Sequence, residues 1–110
     1  MDDIIVTTTE KIPGYRIVKV IGLVSGSSAK AKHIGRDIMA SLRNIAGGEV
    51  KEYTELMAES RDTALKRMME KAEKMGANAI IGVRLSTSMI ASGVAEIVFY
   101  GTAVKVEPET

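Results

Sequence analysis

The chain of 110 residues lacks cysteine and tryptophan and has only four aromatic residues. Without cysteine there can be no disulfide, no thiolate nucleophile and no cysteine-ligated zinc site. So few rings cannot build the stacking platforms on which single-stranded nucleic acids bind. The fifteen basic and fourteen acidic residues nearly cancel, so the concentrated positive charge of a nucleic-acid interface is missing as well. We therefore expect no nucleic-acid partner.

Long hydrophobic runs are also missing. No stretch approaches the roughly 18–20 apolar residues that cross a bilayer, and Met1-Asp2-Asp3 is unlike the basic start of a signal peptide. Apolar residues make up 45% of the chain and charged residues 26%, which is typical of a folded domain. We expect one domain over residues 1–110 with no membrane partner. A cysteine-free chain fits a reducing compartment, so we expect a cytoplasmic location.

Apolar residues at helical spacing predict two helices. The second begins near Glu49 and runs to about Met75, where Gly76 supplies the left-handed residue that commonly ends a helix. Its first half is acidic and its last turns are basic, which suits the helix dipole. The first helix ends at Gly47 and its apolar stripe consists of Ile34, Ile38, Leu42 and Ile45.

Four segments predict strands from their β-branched and apolar residues, namely 4–8, 16–24, 79–89 and 95–106. Pro13-Gly14 predicts a turn, Ser25-Gly26-Ser27-Ser28 a polar loop, and residues 91–93 a turn that joins the last two strands in a hairpin. The predicted fold class is α+β, with two layers: a small, mostly antiparallel sheet and two helices, one of them long, on one face.

The apolar pattern of the strands predicts self-association. Residues 17–24 and 97–104 are mostly apolar or small at both odd and even positions, as in strands covered on both faces. Two helices cover one face, so we expect another copy of the chain to bury the other. In the third strand, alternation predicts one core face at Ile81, Val83, Leu85 and Met89, with Ile80 and Gly82 on a smooth outer face.

Several motifs, in order along nearly the whole chain, together resemble the YbjQ-like family of bacterial and archaeal proteins. They are Gly14-Tyr15-Arg16-Ile17-Val18, Gly47-Gly48-Glu49-Val50, Tyr53-Thr54, Arg61, Gly76-Ala77-Asn78-Ala79-Ile80-Ile81-Gly82-Val83-Arg84 and Tyr100-Gly101-Thr102-Ala103-Val104. The resemblance implies a small α+β subunit that assembles into a ring-shaped homo-oligomer, a pentamer. The family is sometimes labelled heavy-metal-binding. It brings no established catalytic residues.

The metal label has few candidate ligands in this sequence. Soft metals prefer thiolate, imidazole or thioether donors, and the one imidazole is His33, which lies among basic residues. Met57, Met68 and Met75 lie on the apolar stripe of the long helix, where we expect them to be core residues. Glu55 and Glu59, one helical turn apart, are candidates for a hard cation, although charged helix residues are usually only solvated. No cofactor is evident apart from the metal ion that the label implies.

Two further sets of residues are candidates for binding an anion. The loop 25–28, followed by Lys30, Lys32 and Arg36, resembles an anion-binding helix start, but it lacks the spacing of a P-loop. Polar residues within the recognisable motifs are candidates for a site between subunits, where structural roles are the alternative. They are Arg61, Asn78, Arg84 and Tyr100.

Two functional hypotheses follow. The first is a non-enzymatic, ring-forming homo-oligomer that binds a small ligand or metal ion at subunit interfaces. It is motivated by the doubly apolar strands and by the lack of a catalytic constellation: one histidine and no serine elbow do not indicate a triad. The alternative is an enzyme or a binder of anionic small molecules with a pocket between subunits. No catalytic residues are predicted.

Overall fold

The computed structural model describes residues 4–29, 51–91 and 94–110. These residues form a mixed four-stranded sheet and a helix, which confirms the α+β class. The predicted helix of Ile34 to Ile45 lies outside the described residues. The elements are β1 (Ile5–Val6), β2 (Tyr15–Ser28), α1 (Lys51–Lys74), β3 (Ala79–Ala91) and β4 (Val94–Pro108).

The sheet has the strand order β1-β3-β4-β2, with β4 pairing antiparallel to both β2 and β3. The predicted hairpin of the last two strands is confirmed, with Ala91 opposite Val94. β1 pairs parallel to β3 over only two residues. Backbone hydrogen bonds from Gly82 N to Thr9 O (2.9 Å) and from Val83 N to Thr7 O (3.0 Å) extend this contact. The sheet is therefore four strands wide at one end and three at the other.

Helix α1 ends as the sequence predicts. Gly76 has φ +92°, a left-handed conformation that glycine adopts without steric strain. Its N–H donates to Glu73 O (3.0 Å) and the next N–H, of Ala77, donates to Ala72 O (3.0 Å), which is the Schellman pattern. The helix packs on one face of the sheet through a core of Met68, Ala72, Ala77, Val24, Ile80, Val83 and Ala103.

The prediction of a polar loop at residues 25–28 is wrong. These residues continue β2 and pair with 97–100 of β4. They lie under α1, where Ser60 Oγ donates to Ser28 O (3.3 Å) and Arg67 Nη1 to Ser27 O (2.8 Å). Small side chains are needed here because the helix comes close to the strand. Residues 25–28 therefore do not form the loop of the candidate anion site, and the basic residues after them lie outside the described residues.

The predicted alternation in β3 is also wrong. The register shifts between Ile81 and Arg84, and Gly82 has φ +61°. This bulge adds one residue to β3, so the side chains before and after it do not follow one odd–even alternation. Ile80 is fully buried in the core beneath α1, beside Val83, and so is not on a smooth outer face. Ile81 packs on the opposite face, in a second cluster.

Within the described residues, the opposite face, turned away from α1, is only partly covered. At one end Ile5 and Ile12 pack against Ala79, Val104 and Val106. Beyond this cover the face carries exposed apolar side chains. They lie on neighbouring rows of the sheet, as the strand register shows. Val20 is opposite Val104, Leu23 is opposite Thr102, and Ser25 is opposite Tyr100. We call this surface the open face. Its exposed members are Ile17, Val20, Leu23 and Tyr100.

Within the described residues, no helix combines the length and the apolar character that crossing a membrane requires.

Candidate functional site

The structure brings two of the predicted ligand residues together. Arg84 in β3 lies directly opposite Tyr100 in β4, and Tyr100 lies opposite Ser25 in β2. Directly opposed residues in an antiparallel pair project from the same face. A guanidinium, a phenol and a hydroxyl therefore form one polar row across the open face.

Arg84 is held in place by the chain before β2. Its Nη1 donates to Thr8 O (3.0 Å) and to Val83 O (2.9 Å). Within the described residues, its Nη2 and Nε groups make no hydrogen bond. Guanidinium donors in this fork geometry match a carboxylate or phosphate, and a phenol next to them adds a further donor. The row is thus chemically suited to an anionic group.

Asn78 uses its side chain for a structural contact. Its Nδ2 donates to Val106 O (3.0 Å), and its Oδ1 accepts from Val106 N (2.8 Å). Both polar groups of the amide are occupied by the central strand, which favours a structural role. This partner, 28 positions along the chain, could not be identified from the sequence.

Arg61 does not join this row. It is an exposed residue of α1, and α1 packs on the other face of the sheet, against Val24 and Ala103. Arg61 and the Arg84–Tyr100 row therefore lie on opposite sides of a subunit. Only contact between two subunits would bring them near each other.

The described residues do not fit a heavy-metal site. Glu55 and Glu59 are both exposed on α1, and carboxylates are hard donors. No group of three or more His, Asp or Glu residues in the described ranges is placed to hold a metal ion. His33, the remaining candidate, lies outside the described residues. We derive no metal chemistry from this arrangement.

A cleft that was not predicted from the sequence lies where the chain enters β2. Its volume is about 460 Å³. The predicted Pro13-Gly14 turn is confirmed and forms one wall, with Tyr15 N donating to Ile12 O (3.0 Å) and φ +85° at Gly14. That turn was the only local signal for the cleft. The lining residues are Lys11, Ile12, Pro13, Tyr15, Arg16, Ile17 and Glu109.

Comparisons with known proteins give a consistent result. A family model described as "Putative heavy-metal-binding" matches residues 4–107. A UPF0145 protein of Pyrococcus furiosus is 58% identical over 99% of this chain and 96% of its own length. Another, of Thermotoga maritima, is 57% identical over 94% of this chain and 97% of its own length.

The fold also has a solved counterpart. The crystal structure of a protein of unknown function from Pediococcus pentosaceus, of the DUF74 family, matches with a TM-score of 0.65. The match covers 96% of this chain and 100% of that one, at 19% sequence identity. At this identity the likeness supports the fold alone.

Proposed function

Because this chain belongs to the YbjQ-like family of UPF0145 proteins, we propose that it functions as a non-enzymatic homo-oligomer whose subunits meet through the open face. We further propose a cytoplasmic location, which the cysteine-free sequence supports. The observation that carries the proposal is the exposure of Val20 and Leu23, at 65% and 76%, on a face that α1 does not cover.

The open face has the character of an interface. Ile17, Val20 and Leu23 of β2 lie beside the apolar and small residues of β4. Burying apolar surface stabilises a contact by about 25 cal/mol per Å², and contiguous exposed patches usually mark interaction sites.

The edges of the sheet support a ring. β2 is one edge, and β3 beyond Val83 has no strand on its outer side within the described residues. Unpaired edges are templates for pairing with another chain. If β2 of one subunit meets β3 of the next, the contact is head-to-tail, and such contacts close into rings when the rotation permits. The pentamer implied by the family resemblance is one such ring.

Sedimentation velocity of Leu23→Glu tests this proposal. At micromolar concentration we expect the unmodified protein to sediment as one discrete oligomer and the variant as a monomer. An unpaired carboxylate buried at the interface would destabilise each contact by about 3 kcal/mol or more. The control is Met75→Glu, at an apolar residue 40% exposed at the end of α1, which should leave the oligomer intact.

Two results would contradict the proposal. An unmodified protein that sediments as a monomer would rule out the assembly. A Leu23→Glu variant that keeps the oligomeric mass while remaining folded by circular dichroism would rule out the open face as the contact.

The Arg84–Tyr100 row favours a second candidate function, an enzyme or binder of small anions at a subunit boundary. Calorimetric titration with inorganic phosphate tests it. We expect Arg84→Gln to weaken binding at least about tenfold, because a charge-assisted hydrogen bond contributes about 1.5–3 kcal/mol. Arg84→Lys should restore it only in part, since lysine lacks the bidentate fork. An unmodified protein that binds no phosphate would remove this candidate.

A further inference from the structure

We propose that the cleft beside Pro13 binds an apolar monocarboxylate, a small molecule with a hydrocarbon or aromatic body and one carboxylate. The cleft is formed by a single chain, between the segment 11–14, the start of β2 and Glu109. The inference concerns residues other than the Arg84–Tyr100 row, and the cleft shares Ile17 with the open face.

Backbone hydrogen bonds fix the walls of the cleft. The turn at Pro13 is closed by Tyr15 N and Ile12 O (3.0 Å), and Glu109 N donates to Gly14 O (2.8 Å). Thr9 Oγ1 donates to Lys11 O (2.6 Å), at the entrance of the turn. Walls held in this way lose little further freedom when a ligand binds, and such preorganisation favours binding.

The lining of the cleft is mostly apolar. Ile12 is half-buried and packs against Val104 and Val106 in the second core cluster. Pro13, Tyr15 and Ile17 provide further hydrocarbon surface at the cleft. The volume of about 460 Å³ is within the range of small-molecule sites. An apolar body of about ten atoms with a carboxylate has the right size.

Charge favours one carboxylate over other groups. The Lys11 ammonium makes no ion pair or hydrogen bond within the part of the chain that the structure describes, whereas Arg16 Nη2 is paired with Glu107 Oε1 (2.8 Å). Tyr15, which carries a phenol donor, also lines the cleft. Glu109 also lines the cleft and disfavours a ligand with more than one negative charge. Lys11 is therefore the cation available to a single carboxylate.

Calorimetric titration with 4-phenylbutyrate and with its neutral amide, 4-phenylbutyramide, tests the inference. We expect the acid to bind about fivefold more tightly than the amide, which is the upper range for a solvent-exposed ion pair. Lys11→Gln should weaken binding of the acid about fivefold and leave the affinity for the amide unchanged. Glu109→Gln should tighten binding of the acid. Lys66→Gln, at an exposed lysine of α1, is the matched control and should change neither.

Several outcomes would overturn the inference. They are no binding of 4-phenylbutyrate, equal affinity for acid and amide, or unchanged affinity in Lys11→Gln. Leu23→Glu separates the two proposals. We expect it to bind 4-phenylbutyrate as the unmodified protein does, and loss of binding on dissociation would show that one chain does not form the site. If Leu23→Glu stays oligomeric and binds the acid, the assembly proposal fails while the cleft proposal stands.

Discussion

Asn78 connects the end of α1 to the central strand of the sheet. It follows the Gly76 turn by two residues, and both of its side-chain polar groups bond to the backbone of Val106. Val106 is buried, so its N–H and C=O have little access to water. An amide is the side chain that can donate and accept in one plane. Asn78 thus satisfies two backbone groups and also fixes the position of the helix end.

Replacement of Asn78 should therefore reduce stability. We expect Asn78→Ala to lower the free energy of unfolding by about 2–3 kcal/mol, because it leaves two backbone groups of Val106 without partners. Asn78→Asp keeps the acceptor for Val106 N and should lose about half as much. Urea unfolding followed by circular dichroism measures both. Equal stability of Asn78→Ala and the unmodified protein would contradict this role.

For single residues, the sequence predicts local backbone conformations but not hydrogen-bond partners that lie far away in the chain. Gly76 and Pro13-Gly14 could be assigned because a positive φ and a fixed proline φ are properties of the residues themselves. The bonds of Asn78 and the contact of Arg84 with Thr8 O join residues far apart in the chain. No local pattern identifies such pairs.

Helix α1 lies close to strand β2 at Gly26. A Cβ at this position would lie 2.8 Å from Met68 Cα, and still closer to Ala64 O and Met68 N. These are backbone atoms of the helix, so no side-chain rotation relieves the overlap. Gly26 and Ser28 are small residues of the kind common in loops, and here they let the helix pack onto the strand.

This contact predicts the effect of Gly26→Ala. We expect a loss of about 2–3 kcal/mol in the free energy of unfolding, near the upper range for an overpacked core, because the helix must move away from the sheet. Ser25→Ala, one position earlier and on the opposite face, is the control and should change stability by less than about 0.5 kcal/mol. A Gly26→Ala variant as stable as this control would show that the helix does not pack this closely.

The two errors of prediction at the scale of elements have physical causes. Serine and glycine indicate loops by propensity, but pairing with β4 and cover by α1 override that propensity in β2. In β3, a single glycine bulge moves Ile80 into the core beneath α1 and places Ile81 on the other face. Strict alternation holds only while the register is unbroken.

For the whole molecule, the sequence predicts that both faces of the sheet are apolar, with helices over one face and another copy of the chain over the other. The structure covers one face with α1 and one end of the other with Ile5 and Ile12. Leu23 lies on the remaining open face, so the effect of Leu23→Glu depends on contacts between whole subunits. The cleft could not be predicted because its walls join the segment 11–17 to Glu109, across almost the full length of the chain.

The central position of β4 has a consequence for synthesis. β2 and β3 do not pair with each other, and both pair with β4, which follows them in the chain. While the ribosome is still making β4, the earlier strands have only the short contact of β1 with β3 available. We therefore expect the nascent chain to remain without a sheet until β4 emerges, and its apolar strands to depend on chaperones during that interval.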